Sequence, residues 1–181
     1  MKPKLIIVTG NPLKFRELSA ALGEFFDCEQ RVLPGYEIQG TPEEILKHKL
    51  ERAFEAFKQP VLVDDTSVHF EELNGFPGPY IRDFLRAIPS YEMGKKFKGG
   101  RISIACRLAI MKNPDDIVIG EGIIHGDVVD PKIIDPGVRE FDVFVQVDGT
   151  DRPMLEYSPE EKNKFSHRGN AMRDLISKLK K

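Results

Sequence analysis

The stretch Pro60-Val61-Leu62-Val63-Asp64-Asp65-Thr66 constrains this chain more than any other, because an apolar run stops abruptly at two adjacent carboxylates. Val, Leu and Val in succession predict a short strand buried on both faces, the pattern of a parallel sheet covered by helices. In such sheets the strand ends open into crevices where ligands bind, so a pair of acids there is a candidate site. Acids after a strand also serve as solvated turn residues or helix caps, and both readings stand on the run alone. Successive strand residues point to opposite faces, so Asp64 and Asp65 are expected to do different work.

Ahead of this run, Lys4-Leu5-Ile6-Ile7-Val8 reads as a first strand stopped by Thr9-Gly10. Asn11 and Pro12 then supply an N-cap and a first helical position. Leu13, Leu18, Ala21 and Leu22 recur at helical spacing and predict that helix's apolar stripe. The turn offers backbone N–H groups and the Thr9 hydroxyl to an anion, with Lys14 one turn on. It lacks the glycine-framed Gly-Lys-Ser/Thr ending of a Walker loop, and it also serves as a plain structural junction. Residues 28–32 are expected to form a second strand. Thr41 with Glu44 is a capping box opening a helix through about Phe57, with Ile45, Leu46, Leu50, Ala53 and Phe54 as its core stripe. Lys47, Lys49, Glu51 and Arg52 fall on its exposed side, from which Lys49 can reach a ligand. Strand–helix–strand–helix–strand ending at Thr66 predicts the α/β class with a parallel core.

The second half reads differently. Asn74-Gly75-Phe76-Pro77-Gly78-Pro79-Tyr80 predicts a fixed, tight surface loop, followed by a short helix through Ile81, Phe84 and Leu85. Ile102-Ser103-Ile104-Ala105 begins a strand or continues a helix, and Asp116 to Ile124 reads as a strand beyond the turn Asn113-Pro114-Asp115. Phe141 to Gln146 alternates and predicts a further strand before the turn Asp148-Gly149. This half is expected to extend the sheet in antiparallel or mixed fashion. Ser158-Pro159-Glu160-Glu161 is another capping box, and Asn170 to Lys180 is expected to be the last helix. Between them Lys162, Ser166, His167 and Arg168 form a donor-rich group suited to phosphate oxygens or a base edge. A solvated helix face gives the same pattern.

Composition sets the frame for these motifs. At 181 residues, the chain is long enough for one domain, with room for two lobes. A net charge of -2 argues against a general nucleic-acid or membrane-surface binder. Cys28 and Cys106 match no metal spacing and are expected to be free thiols. With no cleavable signal and no long apolar span, a cytoplasmic location is expected.

Four motifs in order resemble the inosine triphosphate pyrophosphatase family. They are Thr9-Gly10-Asn11 with Lys14 and Glu17; Leu62-Val63-Asp64-Asp65-Thr66; Asn74 to Tyr80; and Glu161-Lys162-Asn163 followed by Ser166-His167-Arg168. The resemblance covers residues 4 to about 175 and implies an elongated α/β fold, with a long mixed sheet flanked by helices and two lobes with a substrate groove between them. It implies that residues 1–181 form a single nucleoside triphosphate pyrophosphatase domain. It further implies a homodimer that uses magnesium (Mg²⁺) and splits non-canonical purine triphosphates into monophosphate and pyrophosphate, with neither nucleic acid nor membrane as partner. Thr9, Gly10, Asn11 and Lys14 would then grip the triphosphate, and Lys49 would contact substrate. Glu37, Asp64 and Asp65 would hold metal, with Asp65 and Lys14 catalytic. Phe141, Asp142, Lys162, Ser166, His167 and Arg168 would hold the base and sugar end. One stretch departs from the family: Arg139-Glu140-Phe141-Asp142-Val143 stands where Phe-Gly-Trp/Tyr-Asp-Pro is usual, so hydrolysis is better supported than base preference.

Overall fold

The computed structural model describes every residue except Tyr36, Ile133, Ile134, Pro136 and Arg139. Lys4–Val8 (β1), Asp27–Arg31 (β2) and Val61–Phe70 (β3) are joined by helices Pro12–Leu22 (α1) and Pro42–Phe57 (α2). Then come the two-residue strand Pro77–Gly78 (β4), helices Ile81–Ala87 (α3) and Ser90–Lys96 (α4), and the long strands Arg101–Asn113 (β5) and Asp116–Val128 (β6). Val145–Val147 (β7), Pro159–Phe165 (α5) and His167–Leu179 (α6) complete the order. The strands form one mixed sheet in the order β2-β1-β3-β5-β6-β7, with β4 paired to β3. β1 runs parallel to β2 and β3, whereas β6 and β7 are antiparallel. The α/β class and the mixed sheet therefore stand as expected.

The chain divides into two compact units, Met1–Asp65 with Cys106–Glu121 and Ala171–Lys181, and Thr66–Ala105 with Gly122–Asn170. In the first unit the alternation of β3 feeds two cores. Leu62 packs with Leu5, Ile7, Leu18 and Leu22, while Val61 and Val63 pack with Ile6, Leu46, Leu50 and Ala53. This is the burial on both faces that an uninterrupted Val-Leu-Val run predicts. Leu13 departs from its expected stripe: it lies in the first turn of α1, beside the Asn11 cap, and is 62% exposed, and Phe15 packs inward instead. Cys28 and Cys106 are not joined in a disulfide.

In the second unit Val68, Phe70, Phe97, Ile104 and Phe144 lie in one core, with the Phe70 and Phe97 rings 5.1 Å apart. Two expectations are corrected here. β3 does not stop at its acids but continues to Phe70, because β4 folds back and pairs Val68 with Gly78 and His69 with Pro77. Ser67 and Val68 are fully buried on the way, and His69 bonds both Ser67 Oγ, at 3.0 Å, and the Gly75 carbonyl, at 2.9 Å. Phe141 to Val143 form a 3-10 turn rather than the start of a strand. The Phe144 N–H donates to the Phe141 carbonyl, and only Val145–Val147 reaches β6. Ile102 to Ala105, ambiguous by pattern, belongs to β5, where a hairpin with β6 keeps it extended.

Candidate active site

The first unit holds eight of the expected residues, Thr9, Gly10, Asn11, Lys14, Glu37, Lys49, Asp64 and Asp65, through local features that the sequence encodes. Asn11 caps α1: its Oδ1 accepts the N–H groups of Leu13 (2.9 Å) and Lys14 (3.3 Å), and its own N–H donates to Thr9 Oγ1 at 3.1 Å. Gln30 Nε2 fixes the Thr9 carbonyl from β2 at 2.9 Å. The Thr9 hydroxyl keeps its hydrogen to donate, and the space a Cβ on Gly10 would enter is open to 4 Å. This turn sets the base of α1 so that Lys14 Nζ reaches Asp64 Oδ2, 2.7 Å away on β3.

From α2, Lys49 points back toward the same strand. The Thr41–Glu44 capping box and Pro42 start this helix, and its buried stripe holds it on the core. Lys49 Nζ lies 3.0 Å from Asp65 Oδ1 and 3.0 Å from Glu37 Oε1. It is therefore not on the solvated face with Lys47, since its side chain is only 24% exposed. The two neighbouring acids are thus held by different helices, Asp64 by α1 and Asp65 by α2, as strand alternation requires.

Burial is the largest single influence on both Asp65 and Lys49, but it decides the direction only for Asp65. Asp65 is 6% exposed, and this burial pushes its carboxyl above the usual aspartate range although Lys49 pulls the other way. For Lys49 burial acts to weaken the ammonium, but attraction to Asp65 and then to Glu37 outweighs it, and the pKa lies above the ordinary lysine value. Asp65 Oδ2 is buried and has no hydrogen-bond partner among the described residues. An oxygen of that kind suits a hard cation or a water proton. Among the described residues no three or more His, Cys, Asp or Glu converge as a ready-made metal cage. Magnesium keeps several waters and takes one or two carboxylates plus phosphate oxygens, so one or two of Asp64, Asp65 and Glu37 would suffice for it without such a cage.

The second unit assembles another group. Lys162 on α5 donates to Asp142 Oδ2 at 2.7 Å, which anchors the 3-10 turn containing Phe141. The Phe141 ring lies 5.7 Å from that of His167, tilted by 56°, and His167 is 4% exposed. Ser166 Oγ accepts the Gly169 N–H at 3.2 Å, so this hydroxyl caps α6. Arg168 is half-buried beside it. Arg139, central to the departure from the family pattern, lies outside the described residues.

Two contributors escaped the sequence reading. Gly169 is required because a Cβ there would lie 2.1 Å from the Asn163 carbonyl, so only glycine lets α5 and α6 meet at this corner. The Lys14–Asp64 pair joins residues fifty positions apart, and only the register of β1 on β3, Ile6 to Val61 and Ile7 to Leu62, brings their elements together.

Comparison with known proteins agrees with this architecture. The Ham1 family profile matches residues 5–178. The inosine triphosphate pyrophosphatase of Emericella nidulans is 34% identical over 169 residues, covering 91% of this chain and 90% of that protein. That of Schizosaccharomyces pombe is 32% identical over 185 residues, covering 97% and 96%. A HAM1 protein structure from Coxiella burnetii superposes with a TM-score of 0.77 at 23% identity, covering 99% of both chains, which speaks for the fold. With its ordered motifs and its fold in agreement, the chain belongs to the Ham1 family.

Proposed function

We propose that the chain is a nucleoside triphosphate pyrophosphatase that hydrolyses the non-canonical purine triphosphates ITP, dITP and XTP to monophosphate and pyrophosphate. The observation that carries this reading is the Asp64–Asp65 pair on β3, each acid held by a lysine from a different helix. It is supported by the relatives from Emericella nidulans and Schizosaccharomyces pombe, both named inosine triphosphate pyrophosphatase.

A triphosphate carries about four negative charges, so catalysis is mostly positioning and neutralisation. Lys14, Lys49 and the Thr9-Gly10-Asn11 turn supply donors for its oxygens. Magnesium, when held by Asp65 with Asp64 and Glu37, offsets phosphate charge and eases deprotonation of water. Asp65, whose buried Oδ2 has no hydrogen-bond partner among the described residues, would take the proton of the water that attacks the α-phosphorus. The bond from that phosphorus to the bridging oxygen breaks and pyrophosphate leaves. In the second unit Phe141 offers a stacking face, while Lys162, His167 and Arg168, with Asp142 and Ser166 fixing their setting, hold the base and sugar end. A 6-oxopurine presents an acceptor where adenine has an amine, so donors such as His167 or Arg168 favour the former. A homodimer in the cytoplasm completes the proposal. Among the described residues no helix is long and apolar enough to cross a membrane.

The test is a pyrophosphate-release panel with ITP, dITP, XTP and the standard triphosphates, with and without Mg²⁺. Preference for the first three with Mg²⁺ is expected, and equal rates on ATP and ITP reject the house-cleaning reading. A second reading, the same hydrolysis with another base preference, is favoured by Arg139-Glu140-Phe141 standing at the usual Phe-Gly-Trp/Tyr. No pyrophosphate release from any nucleotide would leave a catalytically silent nucleotide-binding relative.

A further inference from the structure

The carboxylates assigned to the metal are already paired with the protein's own cations. Lys49 is shared between Asp65 and Glu37, at 3.0 Å from each, and Lys14 sits 2.7 Å from Asp64. In these pairs of described residues, three carboxylates face two ammonium groups. A divalent cation arriving alone has to compete with both lysines for the same oxygens. A triphosphate arriving alone meets three carboxylates close to the lysines it needs. Only when the two arrive together can every charge keep a partner, the lysines turning to phosphate and the carboxylates to the cation.

We propose that Lys14 and Lys49 are exchangeable counter-ions, holding Asp64, Asp65 and Glu37 in the nucleotide-free protein and passing to the triphosphate when the preformed metal–triphosphate complex enters. The proposal rests on the function given above and names the species that its site takes. The side chains suit an exchange. Lysine is a compact charge on a flexible stem, and the side chains of Lys14 and Lys49 are 28% and 24% exposed, whereas those of Asp64 and Asp65 are 11% and 7% exposed. The helices beneath them are fixed, α1 by its Asn11 cap and α2 by its capping box, so the side chains can turn without moving the fold. Metal and triphosphate then strengthen each other's binding by one reciprocal factor.

The experiment measures Mn²⁺ binding to the full, nucleotide-free chain by electron paramagnetic resonance. Lys49→Met should bind Mn²⁺ about 5- to 150-fold more tightly than wild type, the usual span of a coupling between sites. Lys14→Met gives the same readout while leaving the Asp65 pair intact, and Asp65→Asn in the Lys49→Met background should erase the gain. Unchanged or weaker Mn²⁺ binding in both lysine variants overturns the exchange. In a second arm, wild type should bind the Mn²⁺–tripolyphosphate complex more tightly than tripolyphosphate alone, and this advantage should shrink in both variants. An advantage that persists in full overturns the proposal as well. Neither probe contains a base or requires turnover, so the lysine-dependent gain survives even if the pyrophosphate-release panel rejects the proposed function.

Discussion

At the scale of single residues the molecule separates two acids that composition treats alike. Asp65 is the more buried, keeps one oxygen without a partner among the described residues, and has its carboxyl raised by burial. Asp64 is committed to Lys14. Asp65→Asn should therefore lower kcat by about 10²- to 10⁴-fold, the range for a lost general base, with the melting temperature preserved. Asp64→Asn should act mainly on KM, through a displaced Lys14, in the same steady-state assay. In the second unit Arg168→Ala should reduce the ratio of ITP to ATP turnover, and an unchanged ratio would remove Arg168 from base selection. That the two acids face different partners was legible from strand alternation. Which lysine each one meets was not, because the pairing depends on the register of β1 against β3 and on the pitch of two helices packed beside them.

Elements were legible where a local signal is self-contained. Asn11-Pro12, Thr41-Pro42 and Ser158-Pro159 each place a capping side chain before a proline, and each starts a helix as read. Elements failed where a distant partner decides. β3 outlasts its acids because β4 pairs with it, and Phe141 to Val143 turn instead of extending because Phe144 is drawn fully into the core. The corner between α5 and α6 belongs to the same class, since nothing local marks Gly169 as a point of close approach. Gly169→Ala should cost about 1–3 kcal/mol of stability, the range for overpacking, as measured by urea unfolding. Because that corner carries Ser166, His167 and Arg168, the loss should be accompanied by a raised KM for nucleotide.

Across the whole molecule, charge sets the response to acid. The carboxyls of Glu44 and Glu161 are held below their usual range by backbone and side-chain hydrogen bonds in their capping boxes, and that of Asp148 by Arg101. A carboxyl with a depressed folded-state pKa contributes stability that is complete above its unfolded value, about 4, and is lost as pH falls through the folded one. Asp65 runs the other way, since its raised pKa favours uptake of a proton by the folded state. These depressed groups lie at the surface, where solvent screens them, so the melting temperature should fall only modestly as pH drops below about 4. The double substitution Glu44→Gln and Glu161→Gln should flatten that fall in calorimetric scans. The α/β class and parallel core were read correctly because hydrophobic alternation is a property of the chain, whereas its division into two units, with β3, β5, β6 and α6 each contributing to both, emerges only from packing.

The alternation of β3 also bears on how such a chain can drift. A strand repeats every two residues, so a slip of one position exchanges the faces of every side chain beyond it. Asp64 and Asp65 are neighbours that meet lysines from different helices, and deleting any one of Val61, Leu62 or Val63 would turn each acid toward the face of the other's partner, together with any apolar residue between the deletion and the acids. Conservative substitution at those three positions is an ordinary packing question, but a change in length is not. Descendants of this chain should therefore vary in the identity of these residues and remain invariant in their number.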